Sequence, residues 1–202
     1  MSSDVRHNIG DRISEPIARL LVKTKVTPNI LTVIGYGFNV VVAVLIGYNI
    51  LMAAGLVLLF SGLFDMLDGA LARVTGKTSK AGAILDSVLD RFSEATVLIG
   101  LVVYYLYVSA SNLGVILVFV TLTGSVLVSY VRSRGESLGL ECKVGFFTRP
   151  ERVILIAAGL IFSSALIYIL WALAVGTVAT SLWRLIYLLR KANQSAGQDA
   201  AK

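Results

Sequence analysis

Five carboxylates, Asp65, Asp68, Asp86, Asp90 and Glu94, fall within one stretch whose flanks are almost wholly apolar. Charge in such surroundings is costly unless something compensates it. Asp65 and Asp68 are three residues apart and Asp86 and Asp90 four apart, so each pair shares one face of a helix. Four carboxylates gathered there could not all stay ionised alone, because mutual repulsion and desolvation both penalise the charged form. A divalent cation resolves the conflict. Hard oxygen ligands without His or Cys point to Mg²⁺, Mn²⁺ or Ca²⁺ rather than zinc. Two ions would suit this number of ligands, and they would suit phosphoryl transfer, where they neutralise phosphate oxygens. Gly69, Ala72 and Gly82 lie within a turn of these acids and leave the backbone open to something flat or bulky.

The elements that position these groups follow from composition. The chain has 202 residues, of which 56% are hydrophobic and 15% charged, and a mean hydropathy of +0.82. That is too apolar for a soluble domain and marks a multi-span membrane protein. The net charge of +6 comes from basic residues between apolar runs rather than along one soluble face, which argues against a nucleic-acid partner. Cys142 is the single cysteine, so no intrachain disulfide forms, and it reads as a passive loop residue. His7 lies on the basic N-terminal segment and reads as a solvated side chain.

Residues 1–27 place Val5, Ile9, Ile13, Ile17 and Leu20 on one face among five basic residues, the pattern of an amphipathic juxtamembrane helix on an anionic surface. Thr27-Pro28-Asn29 reads as an N-cap with proline opening the next helix. Residues 26–64 then hold no charge over 39 positions, about twice the ~20 that one span needs, so the chain folds back, naturally at Gly47-Tyr48-Asn49. Further spans are expected at about 82–108 and about 115–131. The uncharged run 153–183, 31 residues long, is expected to hold a fifth and a sixth helix around a turn near Ser163-Ser164. The expected architecture is all-α: six transmembrane helices over 28–191, with a disordered tail at 192–202. Basic loops alternate with uncharged ones, which assigns both termini and the charged loops to the cytoplasm, in a plasma-membrane protein. On that topology Asp65 and Asp68 lie ~21 and ~25 Å along the second helix and Asp86 and Asp90 ~7 and ~13 Å along the third, which are similar depths near the cytoplasmic side. The same acids could line a divalent-cation transport path, although no ionisable residues continue toward the outer face.

The residues DMLDGALAR, eight more, then GAILDSVLD fit Asp-x-x-Asp-Gly-x-x-Ala-Arg, a spacer, Gly-x-x-x-Asp-x-x-x-Asp. This resembles the signature of the CDP-alcohol phosphotransferase family, and six spans, an amphipathic helix and the Thr-Pro-Asn entry match as well. The resemblance implies that Asp65, Asp68 and Asp86 bind two metal ions, Mg²⁺ or Mn²⁺, and the CDP diphosphate. Asp90 would be a ligand and the general base. Asp68, Gly69, Ala72, Arg73 and Gly82 would form the nucleotide site. A homodimer is also implied.

A second cluster bears on the acceptor. Arg132, Arg149 and Arg152 flank one expected cytoplasmic loop, and Arg184 is the sole charge within the last apolar helix. Arginine forks suit a phosphate dianion. The stretch GFFTRPER resembles the prokaryotic phosphatidylinositol-phosphate synthase branch of that family. This implies that Arg132, Arg149, Arg152 and Arg184 hold the phosphate of inositol 1-phosphate, and that the donor is CDP-diacylglycerol drawn from the bilayer. Phosphatidylglycerol-phosphate synthesis and an archaeal ether-lipid donor are the alternatives within the family.

Overall fold

The computed structural model describes residue 22 and residues 26–76 and 78–199. Of the amphipathic segment expected over 1–27, all but residues 22, 26 and 27 lie outside the described residues, as does Lys77. Regular structure among the described residues is helical throughout. It consists of α1 (Pro28–Gly47), α2 (Leu51–Val74), α3 (Lys80–Tyr107), α4 (Asn112–Ser137), α5 (Arg149–Ile161), a 3₁₀ turn (Ser163–Ala165) and α6 (Leu166–Asp199).

Four helical segments are long and apolar enough to cross a membrane: Pro28–Gly47, Leu51–Val74, Asn112–Ser137 and Ser163–Gln194. Their outward faces carry Val33, Val44, Leu56, Ile116, Phe119, Val175 and Leu182, each about half exposed, as hydrocarbon rather than water permits. The other two helices differ for separate reasons. α3 has 28 residues but begins with the acidic face. α5 has 13 residues, roughly 20 Å against a ~30 Å hydrocarbon layer, because the uncharged run that feeds α5 and α6 is shorter than two full crossings and a turn. The tail also departs from expectation. Instead of disorder from 192, α6 continues to Asp199, with Gly197 inside its last turns. Residues 200–202 lie outside the described residues.

The chain divides into two compact units between Gly100 and Leu101. In the first, α1 opens at the expected cap: Ile30 N–H donates to Thr27 Oγ1 at 3.4 Å, with Pro28 at the helix start. The turn after Gly47 forms as expected, but Asn49, at φ 61°, takes the left-handed position. α1 and α2 pack along their length. The buried residues of α1, Leu31, Thr32, Gly35, Asn39, Val42 and Ile46, recur every three or four positions, as one face of a helix must. Asn39 Nδ2 donates to Ser61 Oγ at 2.7 Å and to its own helix at Gly35 O at 2.9 Å, which fixes the register of α1 on α2. Leu31, Ala70 and Leu71 form a small buried core with Val26, Phe64 and Leu67 around it.

In the second unit α4 and α6 pack on each other through small residues. A Cβ at Gly124 would stand 2.2 Å from Thr177 Oγ1, so no other residue fits that crossing. After α4 the chain reverses at Gly139, φ +74°, with Leu140 N–H donating back to Gly135 O at 2.9 Å.

Candidate active site

In the first unit, the ends of α1 and α2 and the start of α3 enclose a cavity of about 240 Å³. Asp68, Gly69, Ala72 and Arg73 line it from α2, Gly82 and Asp86 from α3, so all five expected nucleotide-binding positions and two of the four expected metal ligands meet there. The helical period explains the α2 wall. Asp68, Gly69, Ala72 and Arg73 follow at spacings of one, three and one, which is one stripe of a helix. Asp68 is almost fully buried, at 5% exposure. Asp65 and Asp90 are half-buried and stand off the cavity lining. Asp65 lies against Gly35 instead: a Cβ there would be 3.4 Å from Asp65 Oδ1.

Among the described residues, no three His, Cys, Asp or Glu side chains close into a metal-binding group. Asp65 and Asp86 both act electrostatically on Asp68. The donor set nonetheless fits a hard divalent ion. It is all carboxylate, it includes the buried Asp68, and Asp86 faces the same cavity across from it.

Four polar residues of the cavity escaped sequence reasoning: Asn29 and Thr32 on α1, and Thr78 and Ser79 before α3. In the sequence Asn29 marks only a helix start. Thr32 Oγ1 donates to Asp68 Oδ2 at 2.7 Å. The available signal was a polar residue one turn inside an otherwise apolar span.

The second unit gathers the arginines. Arg152 and Arg184 are 1% and 4% exposed. The charges of Arg132 and Arg152 both reach Arg184 electrostatically. Arg149 opens α5 after Thr148, whose hydroxyl bonds the Glu151 carboxylate. Arg184, Arg152 and Arg132 are also held by the protein. Arg184 Nε donates to Val144 O and its Nη1 to Val128 O, both at 2.8 Å, and Arg152 Nη1 donates to Phe147 O at 2.9 Å. Arg132 Nε meets Glu136 Oε1 at 2.8 Å, an exposed i,i+4 pair of little energetic weight. In the loop between α4 and α5, Lys143 Nζ lies 2.6 Å from Glu141 Oε1, and its hydrogen bond and charge hold that carboxyl below the ordinary range. Lys191 Nζ donates to Glu141 O at 3.0 Å.

Comparison with known proteins matches residues 25–189 to the CDP-alcohol phosphatidyltransferase family. The phosphatidylinositol phosphate synthase of Corynebacterium glutamicum is 39% identical over 183 residues, covering 86% of this chain and 83% of that protein. The crystal structure of Mycobacterium tuberculosis phosphatidylinositol phosphate synthase with CDP-DAG bound is 36% identical with a TM-score of 0.82, covering 88% of this chain and 94% of that one. The same enzyme in complex with manganese and citrate matches at 36% identity with a TM-score of 0.81, covering 87% and 88%. The protein is thus a membrane-embedded enzyme that belongs to the CDP-alcohol phosphatidyltransferase family.

Proposed function

We propose that the protein transfers the phosphatidyl group from CDP-diacylglycerol to inositol 1-phosphate, giving phosphatidylinositol phosphate and CMP. The observation that carries this reading is the cavity of the first unit, whose walls include the signature residues Asp68, Gly69, Ala72, Arg73, Gly82 and Asp86. The buried Arg152 and Arg184, with the exposed Arg132 acting electrostatically on Arg184, support an anionic acceptor, because gathered like charges favour a ligand of opposite sign.

In this reading Asp65, Asp68, Asp86 and Asp90 hold Mg²⁺ or Mn²⁺, which when bound neutralises charge on the diphosphate. Gly69, Ala72 and Gly82 leave room for the nucleotide, and Arg73 neutralises phosphate oxygens at the end of α2. Asp90 takes the proton of the acceptor hydroxyl, whose oxygen bonds to the phosphorus carrying the lipid as the bond from that phosphorus to CMP breaks. Arg132, Arg149, Arg152 and Arg184 bind the acceptor's phosphate and orient its hydroxyl. The topology that goes with this chemistry has α3 and α5 completing six membrane-inserted helices. Both termini and the site face the cytoplasm of the plasma membrane, and the working unit is a homodimer.

The test is CMP release by the purified protein in detergent with CDP-diacylglycerol and Mg²⁺. Turnover selective for inositol 1-phosphate is expected. Equal or faster turnover with free inositol, or with glycerol 3-phosphate as in phosphatidylglycerol-phosphate synthesis, would overturn the acceptor assignment and keep the family reaction.

Gly82 offers a test of the donor cavity. A Cβ there would stand 3.1 Å from Ser79 Oγ and 3.2 Å from Asn29 Oδ1, both flexible side-chain ends. Gly82→Ala is therefore expected to raise the KM for CDP-diacylglycerol only a few-fold. Gly82→Val, with two further carbons in the cavity, is expected to raise it about tenfold or more while leaving the acceptor KM in place. An unchanged donor KM in the valine variant would remove Gly82 from the nucleotide site.

A further inference from the structure

The α1–α2 seam carries a polar ladder beneath the carboxylates: Thr32 meets Asp68, Gly35 meets Asp65, and Asn39 meets Ser61. Only the first rung touches a carboxylate through a hydroxyl. Thr32 is 6% exposed and Asp68 5%, and both line the cavity. A buried threonine in a helix ordinarily spends its single proton on the carbonyl four residues back, and Thr32 Oγ1 is within 3.1 Å of Pro28 O. The contact with Asp68 Oδ2 is shorter, at 2.7 Å, and its acceptor is a carboxylate, so the proton goes there. Asn39 and Ser61 meanwhile lock the register of the two helices at a separate rung, so the Thr32 hydroxyl is not needed to hold α1 on α2.

We propose that Thr32 is a positioning residue for Asp68, its hydroxyl fixing one carboxylate oxygen so that the side chain meets a divalent cation in a single orientation. The proposal rests on the reading of Asp68 as a metal ligand. A carboxylate that shares its surroundings with other acids turns away from them unless something holds it, and in this site the holding group comes from another helix. Residues that orient metal ligands typically change metal affinity or activity 10–100-fold when removed.

The experiment titrates Mn²⁺ into purified full-length protein, follows binding by electron paramagnetic resonance, and compares wild type with Thr32→Val, Thr32→Ser and Asp68→Asn. Thr32→Val, which keeps the shape and loses the hydroxyl, is expected to weaken Mn²⁺ binding about tenfold. Its Tm should stay close to wild type, and Thr32→Ser should restore affinity. Should the valine variant not fold, Thr32→Ala and Thr32→Ser are compared in the same titration, with the loss expected only in alanine. Mn²⁺ affinity within twofold of wild type in the valine or alanine variant, or equal loss in serine, overturns the assignment of Thr32 while Asp68→Asn still shows the metal site. Wild-type affinity in Asp68→Asn overturns the metal reading and the proposal together.

Discussion

Asp90→Asn is expected to lower CMP release by about 10²–10⁴-fold, the usual contribution of a positioned general base, while Mn²⁺ and CDP-diacylglycerol still bind. Asparagine keeps an oxygen that can face a cation but cannot accept the acceptor's proton at neutral pH. The position of Asp90 suits that division of labour. It is half-buried on α3 one turn beyond Asp86 and stands off the cavity lining that Asp86 shares. Separate measurements of Mn²⁺ binding, donor binding and single-turnover rate check the result. If metal affinity falls in proportion to turnover, Asp90 acts as a ligand and the base lies elsewhere.

Arg184→Met is expected to act on stability and on the acceptor together. The native guanidinium donates to Val128 O on α4 and to Val144 O in the following loop, so it ties that loop to α6. The loop has little freedom to compensate. Gly145 sits at φ +109°, and a Cβ there would meet Thr180 Cγ2 at 2.6 Å. Methionine would leave Val144 O without this donor, at about 1–3 kcal/mol, whereas Val128 O keeps its place in the helical ladder of α4. The expected outcome is a Tm lowered by about 5 °C and a KM for inositol 1-phosphate raised at least about tenfold, with the donor KM unchanged. Thermal unfolding in detergent and acceptor titration separate the two effects. A lower Tm with an unaltered acceptor KM would make Arg184 a strap for the loop and leave phosphate binding to the other arginines.

Spacing along one helix is what the sequence determines most firmly here. Asp65 and Asp68, Asp68 and Ala72, and Gly82 and Asp86 each lie on one face because the helical period is fixed by backbone geometry, whatever packs against it. The cap at Thr27, the turn before Leu51 and the break at Ser163–Ala165 were legible for a similar reason, since capping hydroxyls, proline and polar residues act on their nearest neighbours. Composition marked the membrane class and side-chain type the oxygen-only set of candidate ligands, whereas the nucleotide site was implied by the family resemblance.

Contacts between distant segments were decided only in the tertiary structure. That Thr32 rather than another polar residue of α1 reaches Asp68 depends on the register of α1 on α2, which Asn39 and Ser61 set across 22 positions of sequence. That Arg184 binds two backbone carbonyls depends on where the loop after α4 passes, and carbonyls carry no mark in a sequence. The shortness of α5 reflects how an uncharged run is shared between two helices, a division that hydropathy alone leaves open. Side-chain type and period fixed which residues could do the chemistry. The packing of one helix against another decided which groups hold them in place, because that choice depends on the three-dimensional fit of whole faces rather than on any neighbour along the chain.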